Sequence, residues 1–329
     1  MTLSPTVHLG RSGLRVSKLV LGTMNFGPQT PEPDAFDIMD EAVAAGINCF
    51  DTANSYGRDA AGELKGRSEE FIGKWLGSDH GRRDKVVLAT KVFASMSELP
   101  NDGRLSARHI RAACDASLRR LQTDRIDLYQ MHHVDRETPW EEIWDAMSVL
   151  VSQGKVIYVG ASNFAAWDLA VADSSAHASG PARLVSHQPH YSLLSRDVEL
   201  EVLPACRYLG LGVLPWGPLE GGLLSGILHR QGSGRSSDPT LKGKLAIHRA
   251  KIEAFESFCS DIGHSPGAVA LSWLLHQSGV TAPVIGPRTV GQLRDCMTAL
   301  EVTLDSGELE RLDAIFPGPK LEAPDAYAM

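Results

Sequence analysis

A regular alternation restricts the fold of this chain more than any other feature. Eight short, β-branched-rich runs are each followed by a stretch with helical periodicity: LVLGTM (19–24), NCFDTA (48–53), VVLATKV (86–92), IDLYQMH (126–132), IYVGASN (157–163), LVSHQPHY (184–191), GVLPWG (212–217) and PVIG (283–286). In SARHIRAACDASLRRL, the clearest helical segment, Ile110, Ala113, Cys114, Ser117, Leu118 and Leu121 recur at steps of three and four. Apolar strands separated by helices predict a parallel sheet covered on both faces. Eight is also the number that closes a (β/α)8 TIM barrel. An open doubly wound sheet competes, but no G-x-G-x-x-G opens a helix after the first strand. The chain, 1–329, therefore reads as one α/β barrel domain.

Local signals add detail. VHLGRSGLRVS predicts an N-terminal β-hairpin turning at Arg11-Ser12-Gly13. Thr138-Pro139-Trp140-Glu141 offers an N-cap, a proline at the first helical position and a capping-box glutamate. Ser265-Pro266 opens another helix, and Asp305 with Glu308 boxes a last one. Pro218 to His248 is the longest stretch without a clear element, and at that length a loop reads as a lid or ligand cover, or else as disordered. The closing PGPKLEAPDAYAM reads as irregular.

Charge and cysteine usage bound the partners. With 32 Lys+Arg against 40 Asp+Glu, the net charge of -8 argues against a nucleic-acid surface, which would need a basic face. No apolar run reaches the roughly 18 residues that span a bilayer, and the first residues lack the apolar core of a signal peptide. Cys49, Cys114, Cys206, Cys259 and Cys296 lie far apart without a CxxC, which suits buried thiols in a reducing cytoplasm. A cytoplasmic protein with a small-molecule ligand is expected, without nucleic acid or membrane, and a homo-oligomer stays open. An anionic ligand would then need a locally basic pocket.

In a barrel of this kind the reactive groups lie at the carboxyl ends of strands. Asp51 ends the second barrel strand, Lys91 the third, His132 the fourth, and Ser162 with Asn163 the fifth. Gln188 lies late in the sixth, Trp216 ends the seventh, and Gly286 with Arg288 follows the eighth; Tyr56 stands five residues beyond Asp51. Singly, each has an ordinary alternative: a solvated loop charge, a core histidine, a packed indole. Together, an acid, a lysine and a histidine at three consecutive strand ends face one mouth, where charges are costly unless paired. No HExxH is present, and His187 and His190, three apart on a strand, point to opposite faces. The two carboxylates of a glycosidase pair are not both visible. Tyrosine, lysine and aspartate instead suggest a tuned phenol. An ordinary phenol pKa of roughly 10 is expected to fall beside an ammonium that an aspartate holds charged. With a histidine directing a carbonyl oxygen, that is an acid–base site for carbonyl reduction with hydride from a cofactor.

The motifs D-T-A-x-x-Y-G (51–57), A-T-K (89–91), I-D-L-Y-Q-M-H (126–132) and G-A-S-N-F (160–164) resemble those of the aldo-keto reductases. H-Q-P-H-Y-S-L-L, P-W-G-P-L-E-G-G-L-L-S-G and I-G-P-R-T-V-G-Q-L continue the likeness, which runs from Leu9-Gly10-Arg11 to Leu312-Asp313. The resemblance implies a (β/α)8 barrel that binds NADPH in extended form without a separate dinucleotide domain. It implies Tyr56 as general acid, Lys91 and Asp51 as its tuning pair, and His132 as the group that orients the carbonyl. His132 is favoured over His133 because the family histidine lies three residues after the strand tyrosine, here Tyr129. Ser162, Asn163 and Gln188 would bond the nicotinamide carboxamide, and Trp216 would stack on the ring where many relatives have tyrosine. Pro218 and Leu219 would continue that wall, with Gly22, Thr23 and Met24 lining the pocket beside Asp51. Gly286 would admit phosphate at a helix N-terminus, and Arg288 would take the adenosine 2′-phosphate. Gln292 and Asp295 fall where relatives contact adenine, although Thr289-x-x-Gln292 is also a capping box. Arg235 would clamp the pyrophosphate.

The sequence also departs from the family pattern. Cys296 stands at a usual asparagine, which removes one adenine contact, and GRDAAGELKGRSEE after Tyr56 is long and would shape the substrate mouth. His133 and Trp140 either line the pocket or pack, with packing favoured for Trp140. The branch resembles potassium-channel β subunits and actinobacterial reductases of deoxysugar and polyketide ketones. The resemblance therefore implies an NADPH-dependent reductase of an aldehyde or ketone, such as a keto sugar or polyketide ketone of secondary metabolism. An NADPH-binding regulatory subunit is the alternative.

Overall fold

The computed structural model describes residues 4–27, 29–57, 66–79, 81–177, 180–229 and 239–319. Each of the eight runs forms a strand: β3 (Val20–Gly22), β4 (Cys49–Asp51), β5 (Val87–Val92), β6 (Ile126–Met131), β7 (Val156–Ser162), β8 (Leu184–Gln188), β9 (Gly212–Val213) and β10 (Val284–Ile285). They pair in parallel in the order β10-β3-β4-β5-β6-β7-β8-β9. The seam between β9 and β10 is spanned by single bonds: Val284 N–H donates to the Pro215 carbonyl at 2.8 Å and Thr281 N–H to that of Val213 at 2.8 Å. The sheet thus curls into a (β/α)8 barrel. Pro215 and Pro283 have no N–H for the ladder, which keeps the last two strands to two residues each.

Helices α1 (Glu32–Ala44), α2 (Arg67–Gly77), α3 (Ala107–Leu121), α4 (Trp140–Ser152), α5 (Ala166–Ala176) and α6 (Val202–Leu209) follow β3 to β8 in turn. α7 (Pro239–Asp261) and α8 (Pro266–His276) follow β9, α9 (Val290–Met297) follows β10, and α10 (Ser306–Ile315) comes last. α3 buries Ile110, Ala113, Cys114, Ser117 and Leu121 of the stripe its periodicity predicts, with Leu118 half-buried, and Ser106 caps it by accepting from His109 N–H. Ser265 caps α8, and Asp305 with Glu308 forms the reciprocal box of α10.

Two local expectations are corrected. Pro139, not Thr138, is the N-cap of α4, because the Thr138 hydroxyl is drawn away to donate to the buried Asp135 carboxylate at 2.8 Å. The stretch from Pro218 to His248 is not one open loop. It holds a 3-10 turn at Glu220–Gly222, and its last residues already belong to α7. Residues 58–65, 230–238 with Arg235, and 320–329 lie outside the described residues. No disulfide links the five cysteines: four are buried and Cys296 is half-buried.

The N-terminal hairpin, β1 (Thr6–His8) against β2 (Arg15–Ser17), forms as expected. Leu9 and Val16 join Val20, Cys49, Ala89, Leu128, Leu214 and Val284 in a small apolar cluster inside the barrel. The larger core fills the layer between sheet and helices, around Phe50, Trp75 and Trp144. With one end of the barrel filled from the hairpin, the carboxyl ends of the strands form the mouth left for a ligand. The floor depends on Gly10, which adopts φ +57 and against which a Cβ would meet Gly210 O at 2.5 Å and Gly212 N at 2.6 Å. Gly10→Ala should destabilise the fold by about 1–3 kcal/mol through overpacking and strain, read as a lower urea midpoint with unchanged slope.

Candidate active site

Adjacent parallel strands in register bring their carboxyl ends to one rim: Gly22 pairs with Asp51, Lys91 with Gln130, and Ser162 with Gln188. Asp51 and Lys91 are both buried, at 2% and 0% exposure, so their charges must be satisfied within the protein. All three ammonium hydrogens of Lys91 are used. Nζ donates to Asp51 Oδ2 at 2.5 Å, to the Thr52 carbonyl at 2.9 Å and to Tyr56 Oη at 3.2 Å. The other carboxylate oxygen, Oδ1, accepts from Gln130 Nε2 and Gln188 Nε2, each at 2.9 Å.

Gln130, which holds Asp51 here, is not among the residues that the strand-end pattern singles out. It stands two positions before His132, so period-two alternation in a strand puts it on the barrel interior. A polar side chain at that position was the available signal. Nor is Asn25 among those residues. Its amide donates to the Gly286 carbonyl at 2.8 Å and ties the loop after β3 to the loop after β10.

Tyr56 is carried by the turn after β4, where its N–H donates to the Ala53 carbonyl at 3.1 Å. Gly57 follows at φ +80, and a Cβ there would lie 2.8 Å from Ser68 N, so only glycine brings this turn against the start of α2. The Tyr56 ring lies 4.8 Å from Lys91 Nζ and meets the His132 ring edge-on at 5.8 Å. His133 stacks on the outer face of His132 at 5.0 Å and takes the Phe93 ring edge-on at 5.2 Å. Trp140 packs against Phe164 at 5.9 Å, in agreement with packing.

The electrostatics differ from expectation at one group. Burial pushes the Tyr56 phenol above its ordinary value, Lys91 pulls it back only in part, and Asp51 adds to the rise. The expected lowering is therefore reversed, because desolvating a phenolate costs more than one ammonium at this distance returns. Burial alone would lower Lys91, but Asp51 and Tyr56 outweigh it and hold the ammonium above its usual range. His132 is pushed down to about 2 by burial, with Lys91 and His133 adding to the effect, so it is a neutral imidazole. A protonated phenol and a neutral imidazole can both donate hydrogen bonds to one oxygen, beside a fixed cation.

Of the residues expected around a cofactor, Thr23, Ser162, Asn163 and Gln188 adjoin this cluster. The Ser162 hydroxyl donates to the Gln188 carbonyl at 2.8 Å. Asn163, at φ +60, donates through Nδ2 to Ser162 Oγ and to the His132 carbonyl, each at 3.0 Å, and accepts from Trp216 Nε1 at 2.9 Å. Thr23 is buried, with its hydroxyl on the Asp51 carbonyl at 3.0 Å, while Met24 and Trp216 keep 58% and 38% of their surface exposed at the rim. Pro218 is buried and Leu219 half-buried on the loop after Trp216. Gly286 is exposed at the end of β10, and the Gln292 side chain accepts from Arg288 N–H at 2.9 Å while its own N–H donates to the Thr289 cap. Thr289 thus caps α9, but the Gln292 side chain takes the N–H of Arg288 rather than that of the N-cap, so the reciprocal box of its motif is not formed. Asp295 lies exposed on α9. Among the described residues no group of three His, Cys, Asp or Glu could hold a metal ion, and no helix is long and apolar enough to cross a membrane.

Comparison with known proteins bears on this geometry. The model of the Aldo/keto reductase family matches residues 18–316. An uncharacterized oxidoreductase of Bacillus subtilis, YrpG, is 51% identical over 326 residues, covering 98% of each chain. Norsolorinic acid reductase stcV of Emericella nidulans is 34% identical over 93% of this chain and 80% of its own length. Versiconal hemiacetal acetate reductase of Aspergillus parasiticus is 33% identical over 95% of this chain and 99% of its own. The barrel, the contents of its mouth and a match over nearly the whole chain agree: this protein belongs to the aldo/keto reductase family and is an oxidoreductase.

Proposed function

We propose that this protein reduces an aldehyde or ketone to an alcohol with NADPH, using Tyr56 as general acid. The observation that carries the reading is the chain from buried Asp51 and Lys91 to the half-buried Tyr56, at 2.5 and 3.2 Å. Aldo/keto reductases generally use NAD(P)H, and the residues at the mouth fit that group. Gln188 has both amide hydrogens committed, to Asp51 and to Gln130 at 3.3 Å, which leaves its carbonyl to accept from a carboxamide NH2. Trp216 offers a part-exposed indole beside Asn163. The Arg288 guanidinium, half-buried next to the start of α9, has no hydrogen-bond or ion-pair partner among the described residues, and this suits a 2′-phosphate. The cofactor, when bound, supplies the hydride to the carbonyl carbon.

The chain's own residues handle the oxygen. His132, neutral, and the Tyr56 hydroxyl converge on the carbonyl oxygen and polarise it. As charge develops there, Tyr56 gives up its proton, and the phenolate left behind is stabilised by the Lys91 ammonium already in contact with it. Asp51, held at one oxygen by Gln130 and Gln188, keeps Lys91 charged and aimed. These dipoles and charges are in place before reaction, so little reorganisation is needed.

The substrate class we favour is a polyketide ketone or keto sugar of secondary metabolism. Relatives named for norsolorinic acid and versiconal hemiacetal acetate reduction support the first. The test is a carbonyl panel containing both classes and simple aldehydes, followed by loss of NADPH absorbance. Tight NADPH binding without turnover on any member would favour a regulatory subunit instead. Arg288→Ala should raise the NADPH KM by roughly 10–100-fold and leave that for NADH within about threefold, as expected for loss of a charge-assisted phosphate contact. Equal losses for both cofactors would remove Arg288 from that role.

A further inference from the structure

Behind Trp216 a second ionic cluster forms around one buried carboxylate, with His190 and Lys244 partly exposed. The Glu220 carboxylate is 6% exposed, on a residue at φ +49, a left-handed conformation uncommon for a side chain of this kind. It accepts from Ser192 Oγ at 2.8 Å, Ser195 Oγ at 2.9 Å and Lys244 Nζ at 3.2 Å. Its fourth partner is His190 Nε2 at 2.8 Å. A carboxylate with this many donors is acceptor-only; burial alone would raise its pKa, but the His190 and Ser192 contacts outweigh that and hold it at about 2. It therefore fixes a hydrogen on His190 Nε2 and with it the orientation of the imidazole.

His190 and Trp216 are partners across a parallel bridge, flanked by Trp216 N–H on the Pro189 carbonyl at 2.9 Å and Tyr191 N–H on the Trp216 carbonyl at 3.3 Å. Their side chains stand on the same side, and the rings stack at 4.2 Å with planes 17° apart. Gly217 makes room for the stack: at φ +66, a Cβ there would lie 2.9 Å from His190 Cδ2. The indole is thus held by a backbone bridge, by Nε1–H on Asn163 Oδ1 and by a ring clamped against one face. Its exposed remainder opens to the mouth.

We propose that His190, clamped by Glu220, is a positioning residue that sets the plane of Trp216, and through it the angle at which a nicotinamide ring presents its hydride to the carbonyl. This rests on the reading above that Trp216 walls the cofactor site. A ring on a loose indole would still bind, but it would spend less time aligned, so turnover falls while carbonyl affinity does not.

The test measures three variants, His190→Ala, His190→Phe and Trp216→Ala, for NADPH dissociation constant by calorimetry without carbonyl, and for kcat and carbonyl KM. His190→Ala is expected to weaken NADPH by roughly 3–10-fold, the range of one lost stacking contact, and to lower kcat about 10-fold with carbonyl KM within about twofold. His190→Phe, which keeps a flat ring against the indole, should recover most of both. If His190→Ala lowers only the melting temperature, or if His190→Phe is as impaired as His190→Ala, the positioning role is overturned. If Trp216→Ala weakens NADPH but His190→Ala changes neither binding nor kcat, the inference fails and the cofactor site stands. If Trp216→Ala leaves NADPH binding unchanged, the placement of the ring fails and takes the inference with it.

Discussion

Tyr56→Phe is expected to lower carbonyl turnover by roughly 10²–10⁴-fold, the contribution of a positioned general acid, while the NADPH dissociation constant stays within about twofold. The phenol oxygen takes the Lys91 hydrogen bond at 3.2 Å, and its removal leaves the ring against Lys91 Nζ, the Asp51–Lys91 pair and the amides around them in place. Stopped-flow reduction at saturating NADPH, together with a binding titration, separates the two quantities. Near-normal rates would remove Tyr56 from the acid role. The pH dependence follows with a definite sign. Burial raises the phenol above its ordinary value, so the proton-bearing form persists through neutral pH. Reduction should be lost only as pH rises through that raised value. The reverse oxidation, which needs phenolate, should gain across the same alkaline range. His132, at about 2, should give no inflection in the usual histidine range.

Lys91→Met should be the most damaging change to the fold at this site. It leaves Asp51 buried at 2% exposure with two amide donors and no cation. Breaking a buried pair by removing one partner typically costs about 3–5 kcal/mol. Reduction should fall by roughly 10²–10³-fold as well, because the phenolate formed in the reaction loses its fixed positive partner. Chemical denaturation of the wild type against Lys91→Met reads the first effect, and kcat at a denaturant-free temperature well below melting reads the second. The wild-type pair has its own pH signature. The Lys91 pKa is raised, so its contribution is complete below the ordinary lysine value, near 10.4, and lost only as pH climbs through the raised one. Stability that declined across neutral pH in the wild type but not in Lys91→Met would contradict this assignment.

Much of the architecture was legible in the residues. The eight runs mark the eight strands, with ends that move by a few residues, because β-branched runs bounded by glycine and proline have few other folded conformations. The α3 stripe and the caps of α8 and α10 were equally legible, since each depends on residues within one or two turns. Thr138 was not, because its hydroxyl answers to Asp135, whose carboxylate also takes the N–H of Leu105 from another loop. The helical stretch of 239–248 escaped notice for a related reason: the exposed, charged first turns of α7 have little apolar periodicity of their own.

At the site, sequence alone brought Asp51, Lys91 and His132 to one rim. In a parallel barrel every strand delivers its last residues to the same end, and no further information is needed to know that they meet. It could also name the neighbouring amides and Trp216. What only the tertiary structure decided was how these groups are loaded. The phenol rises rather than falls, because desolvation sums over every atom around the oxygen and not over the nearest charge. Gln130 joins Asp51, and Glu220 reaches His190 from thirty positions away, because hydrogen bonds of buried side chains are settled by which loops the closed barrel brings within 3 Å. The alternation of strands and helices is written locally in this chain; the energies of its charged groups belong to the assembled mouth.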